Sequence, residues 1–115
     1  MNTKKTIFIA HPINGDIEGN MKKVLDICAH LHNEDTIPVA PYLISLQYLD
    51  DSIPKDRDLG IIANLETLNR GYVDELWVYG DSITPGMKQE VTLALSLGIP
   101  VFPQTEGTKR DFEMM

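Results

Sequence analysis

Short apolar runs alternate with helical patterns along this chain, and that alternation constrains its fold more than any other feature. Thr6-Ile7-Phe8-Ile9-Ala10 is an unbroken β-branched and aromatic run, as a strand covered on both faces requires. Met21, Val24, Leu25, Cys28 and Leu31 then recur at helical spacing in a helix from about Glu18 to Asn33. Ile37-Pro38-Val39-Ala40 reads as a second short strand closed by Pro41. A second helix is predicted from Asp58 to about Asn69, with Gly71 as its stop, and a third strand over Glu75 to Tyr79. The turn-rich loop Gly80 to Gly86 opens a third helix that ends at Gly98, and Val101-Phe102 is the last strand. Right-handed crossovers between such strands demand a parallel sheet of roughly four to five strands with helices on both faces, an α/β fold.

This flavodoxin- or Rossmann-like layout, read as one domain over residues 1–115, says where a ligand belongs. In open parallel sheets it sits beyond the carboxyl ends of the strands, at the switch in strand order. Three loops leave those ends: His11 to Asp16, Pro41 onward, and Gly80 to Gly86. The stretch from Tyr42 to Lys55 carries apolar residues broken by Asp50-Asp51 and Pro54, and reads as a mobile, partly helical excursion over one edge. Residues 104–115 are expected to form a loose or oligomer-packing tail.

Composition narrows the partners. Ten basic against seventeen acidic residues give a net charge of −7. That leaves no cationic surface for sequence-independent nucleic-acid binding or for docking on an anionic membrane. No apolar run approaches the ~20 residues of a membrane span, and the N-terminus lacks the pattern of a signal peptide. The single cysteine, Cys28, lies on the apolar side of a helix, which fits structural burial and a cytoplasmic setting. No set of histidine, cysteine and carboxylate residues has metal-ligand spacing, so neither metal nor cofactor is predicted. His30 and His32 are two apart on a helix and cannot face one site, and Ser82 and Ser96 lack the context of a serine triad.

The third helix carries the residue of most chemical interest. Taking about 100° per residue from Met87, Glu90 points at about 300°, between Leu93 at about 240° and Ala94 at about 340°. Lys88, Gln89, Thr92 and Ser96 fall together on the far side. A carboxylate against an apolar face is costly unless paired, hydrogen-bonded or protonated, and active-site acids and nucleophiles are often built this way. The alternative is a glutamate in the first helical turns, stabilised by the macrodipole and reaching out at the edge of the face. Gly86 and Met87, in the same first turn, are predicted to line the crevice.

The remaining candidates are weaker. The loop His11-Pro12-Ile13-Asn14-Gly15-Asp16 holds neither a dinucleotide fingerprint nor a P-loop; it is either a plain turn or a place where backbone amides approach a ribose or phosphate. His11 is a ligand or proton-transfer group, or else it caps and packs. Asp81 directly follows the third strand and either enters the crevice, to hold sugar hydroxyls or tune Glu90, or caps its loop. Glu66, at about 340° from Leu59, is a second candidate carboxylate or a surface residue. Asp56, Arg57 and Asp58 form a lid or a charge cluster at a helix start.

The segments I-F-I-A-H-P-I-N-G-D, V-D-E-L-W-V-Y-G-D and S-I-T-P-G-M-K-Q-E-V-T-L-A-L-S-L-G-I-P-V together resemble the nucleoside 2-deoxyribosyltransferase-like superfamily, over nearly the whole chain apart from the tail. The likeness is to its small bacterial and phage members. It implies an enzyme that cleaves or exchanges the N-glycosidic bond of nucleosides or nucleotides, with Glu90 matching the glutamate that attacks the anomeric carbon. Asp81 or Glu66 would then assist, the His11 to Asp16 loop would hold sugar or phosphate, and a homo-oligomer would complete the pocket. An oxocarbenium-like centre does need a close carboxylate, and a second acid to help the base leave. The sequence has Ile7 and Phe8 where a first-strand tyrosine is common, and Ile13 and Asn14 in the first loop. Those departures keep a second reading open, a nucleotide-binding module without chemistry, such as a sponge for a nucleotide or an NAD-derived signal.

Overall fold

A computed structural model describes residues 4–115. Four strands, β1 (Lys5–Ala10), β2 (Thr36–Val39), β3 (Glu75–Val78) and β4 (Val101–Pro103), form one sheet in the order β2-β1-β3-β4. All three pairings are parallel, with Phe8 beside both Val39 and Leu76, and Trp77 beside Phe102. Helices α1 (Ile17–Leu31), α3 (Pro54–Asn69) and α4 (Pro85–Ser96) make the crossovers. The α/β architecture expected from the alternation is the one observed.

Side-chain alternation divides the apolar residues between two layers. Phe8, Ala10, Leu76 and Val78 face Leu68 of α3 and Met87, Val91 and Ala94 of α4. Ile7 and Ile9 point the other way, onto Val24 of α1 and Tyr42. Because β1 connects outward to β2 and the chain then returns to β3 on its other side, the strand order switches between β1 and β3. The crevice belongs beyond the carboxyl ends of those two strands.

Two stretches depart from the sequence reading. The excursion after β2 contains a short helix, α2 (Tyr42–Ser45), with both end residues buried, and α3 begins at Pro54 rather than Asp58. Pro54, read as a breaker, instead starts the helix: its missing N–H is one the first turn leaves unpaired anyway, and Ile53 before it takes the extended backbone that a proline imposes. The tail is not loose over its length. Residues Glu106–Glu113 form α5, where Thr105 caps the helix and bonds the Gly80 carbonyl at 2.7 Å. Thr108 is fully buried with its hydroxyl toward the Val78 carbonyl, and Asp111 accepts from the Ile83 amide at 2.9 Å. So polar a helix offers few apolar residues to read; Phe112 packs on the core and hydrogen bonds anchor the rest. No helix among the described residues is long and apolar enough to cross a membrane.

Candidate functional site

Beyond the carboxyl ends of β1 and β3 lies a half-open cavity of about 290 Å³, between the loop after β1, the α2 segment, the inner face of α3 and the first turns of α4. The loops after β1 and β3 meet beside it. Gly80 has φ +99°, and a Cβ there would come within 2.5 Å of the Pro12 ring, so only glycine lets the β3 loop approach the β1 loop this closely. At the start of α4, Thr84 accepts a hydrogen bond from the Met87 amide at 3.3 Å, and Pro85 occupies the first helical position. Those two residues fix the axis of α4, and the axis sets where Glu90 points.

Glu90 lines the cavity and is only 7% exposed. Burial raises its carboxyl from the ordinary 4.5 to about 8, and no charged or hydrogen-bonding neighbour among the described residues offsets that. Near neutral pH burial therefore favours the protonated form of this group. Tyr42 lies close enough for the charge of Glu90 to be felt: burial first, and then that charge, push its phenol well above the ordinary value. The Tyr42 hydroxyl donates to the Ile9 carbonyl, which pins the α2 segment to the end of β1.

His11 is also buried in the cavity wall. Its Nδ1 is 2.7 Å from the Pro12 carbonyl oxygen, which assigns the ring proton to Nδ1 and leaves Nε2 as the lone-pair nitrogen. Burial holds the imidazole below its ordinary value, outweighing the Pro12 contact that favours protonation. At the mouth, Asn14 donates to Asp51 Oδ2 at 2.7 Å and accepts from Arg57 at 2.9 Å, in the amide orientation that satisfies both neighbours. Deeper in, α3 supplies Asn64, whose Oδ1 is buried without a hydrogen-bond partner. Buried amide oxygens in that condition are rare.

The cavity brings together part of the set the sequence suggested. Glu90, His11, Asn14, Gly86 and Met87 line it. The other candidates stand apart. Glu66 is exposed on α3, with an Arg70 nitrogen 2.7 Å from its carboxylate. Asp81 is exposed in its loop, its backbone packed under Gly107 of α5. Pro12 packs on Gly80, Gly15 takes a positive φ of 95° in the turn, and Asp16 caps α1 by accepting from the Gly19 amide at 3.0 Å. Sequence reasoning missed Tyr42, Asp51 and Asn64 as cavity residues, and offered Arg57 only within a lid or a charge cluster at a helix start. Tyr42 and Asp51 fall in the stretch read as an irregular excursion, and Asn64 was passed over for Glu66.

A family model described as a domain of unknown function (DUF7768) matches residues 5–103, and the chain belongs to that family. Among curated proteins none matches. A solved structure, the 2-deoxyribosyltransferase from Leishmania mexicana, is similar at 20% identity with a TM-score of 0.53. The alignment takes in 86% of this chain and 63% of that one, so the chain spans less than two thirds of its structural neighbour. The two share the α/β fold.

Proposed function

We propose that this DUF7768 chain acts on the N-glycosidic bond of a small nucleoside or nucleotide, with Glu90 as the attacking carboxylate. The observation that carries the reading is the placement of a buried carboxyl, without a partner among the described residues, in a cavity at the strand-order switch. The fold shared with a 2-deoxyribosyltransferase and the match of Glu90 to that superfamily's helix motif support it. In the step, a Glu90 carboxylate oxygen bonds to the anomeric carbon as the carbon–nitrogen bond breaks, and the base departs with the electron pair. Water or a second base then displaces the sugar from Glu90. A substrate whose anomeric carbon becomes positive favours the ionised carboxylate that burial disfavours.

Release of free base from deoxynucleosides and their monophosphates, followed by chromatography, tests the reading. Cleavage is expected in the wild type and not in Glu90→Ala; equal release by both overturns it.

One observation favours a binding module instead: Asp81 and Glu66, the acids offered to assist departure of the base, lie outside the cavity. On that reading a nucleotide panel raises the melting temperature and the ligand is recovered intact. Self-association is part of the proposal too. Ile44, Tyr48, Ile53, Leu59 and Ile62 are exposed apolar residues of the α2–α3 region, and light scattering during gel filtration should report a dimer or larger.

A further inference from the structure

A nucleophile at the anomeric carbon needs a leaving group that accepts the bonding electron pair. A neutral nucleobase does so readily only when a proton arrives with it. The cavity wall is poorly equipped to deliver that proton. Where α3 turns inward it presents Asn64, a neutral amide with no proton to give, while Glu66 points to solvent beside Arg70. His11 directs its ring proton to the Pro12 carbonyl, and burial disfavours its taking a second one. Asp51 serves as acceptor for Asn14 at the mouth, next to Arg57. At the other pole, Glu90 is buried with no cationic neighbour among the described residues.

Both features have one chemical complement. Resting on the Glu90 reading above, we infer that the substrate brings the positive charge itself, as a cationic nitrogen heterocycle on the anomeric carbon: a pyridinium or an N-alkylated purinium nucleoside. Such a ring leaves as a neutral molecule. Glu90 Oε bonds to the anomeric carbon, the carbon–nitrogen bond breaks, and its electron pair cancels the charge on the ring nitrogen. No proton from the protein is required. Water then bonds to the anomeric carbon, the carboxylate is regenerated, and one proton goes to solvent. Bound beside Glu90, the cation also supplies the partner that the buried carboxylate does not find among the described residues.

The test compares nicotinamide riboside and 7-methylguanosine with 2′-deoxyadenosine and thymidine as substrates, for wild type, Glu90→Ala and Asn64→Asp. Wild type is expected to cleave the cationic pair with kcat/KM at least about 100-fold above the neutral pair, the lower end of what a positioned acid contributes. Glu90→Ala should abolish the difference. Asn64→Asp, which installs an ionisable acid on the inner face of α3, should raise kcat/KM for the neutral pair about 10-fold or more and narrow the preference. Glu90-dependent cleavage of the neutral pair at equal or higher efficiency overturns this inference and leaves the Glu90 reading standing. An unchanged preference in a folded Asn64→Asp protein also overturns it. Absence of Glu90-dependent cleavage of all four compounds overturns both.

Discussion

Replacing Glu90 by glutamine should change how stability depends on pH, by an amount the burial of this carboxyl sets. In the unfolded chain the group titrates at its ordinary 4.5, and in the folded protein at about 8. Across that window the native state holds a proton that the unfolded state has given up, so stability is full below the lower value and falls as pH rises towards the upper one. The slope reaches about 1.4 kcal/mol per pH unit, and the whole window amounts to at most about 5 kcal/mol. Water reaching the carboxyl through the cavity mouth reduces this by up to about half, so about 2–5 kcal/mol is the expected loss in the wild type. Glutamine keeps the shape and carries no proton to lose. Urea unfolding of both proteins from about pH 5 to about pH 9 measures the effect. His11, held below its ordinary value, acts in the opposite sense, adding stability as pH rises through the range where its unfolded form deprotonates. That contribution is common to both proteins and drops out of their difference. The difference should grow in favour of Glu90→Gln by about 2–5 kcal/mol over the series. A difference constant to within about 0.5 kcal/mol would show that Glu90 titrates as an ordinary carboxyl, and the account of a desolvated acid would fail.

Three further substitutions probe the frame around the site. Gly80→Ala forces a side chain into a positive φ and against Pro12, and should cost about 2–4 kcal/mol in thermal or urea unfolding; a loss below about 0.5 kcal/mol would mean that the two loops need not touch. At Gly86 an added Cβ meets no protein atom, so Gly86→Ala should raise stability by up to about 1 kcal/mol while narrowing the cavity. Its signature is a higher melting temperature with a weaker ligand-induced shift; an undiminished ligand shift would place Gly86 outside the binding region. Tyr42→Phe removes the hydroxyl that donates to Ile9 and should cost about 1–2 kcal/mol in urea unfolding, and a neutral result would show that this hydrogen bond does not hold the α2 segment.

Some of this was legible in the residues and some was not, for physical reasons. β1 and the crossovers announce themselves because strand and helix periods differ and the runs are unbroken. Glu90 was legible because α4 has a clean polar side, which makes an acid on the other side conspicuous; of the two placements the helical geometry left open, the buried one is observed. α3 misled because its apolar residues do not share one face. Leu59 and Ile62 are exposed while Ile61, Asn64 and Leu65 line the cavity, so an angle measured from Leu59 turned attention to Glu66 and away from Asn64. The mouth formed by Asn14, Asp51 and Arg57 depends on contacts between segments far apart in the chain, which local patterns do not encode.

The strand order also dictates when the site can exist. β1 is central, and its register pairs Phe8 with Val39 on one side and with Leu76 on the other. During synthesis the second partner arrives long after the first, so β1 waits with one edge unpaired and its apolar residues half covered. Parallel pairing across so many residues is slow, and the waiting chain is exposed to sticking to its neighbours. α4 follows β3 in the chain, so Glu90 enters its pocket only after that closure. The Glu90 carboxyl is thus among the last groups to lose its water, and the cavity around it is completed late in folding rather than early.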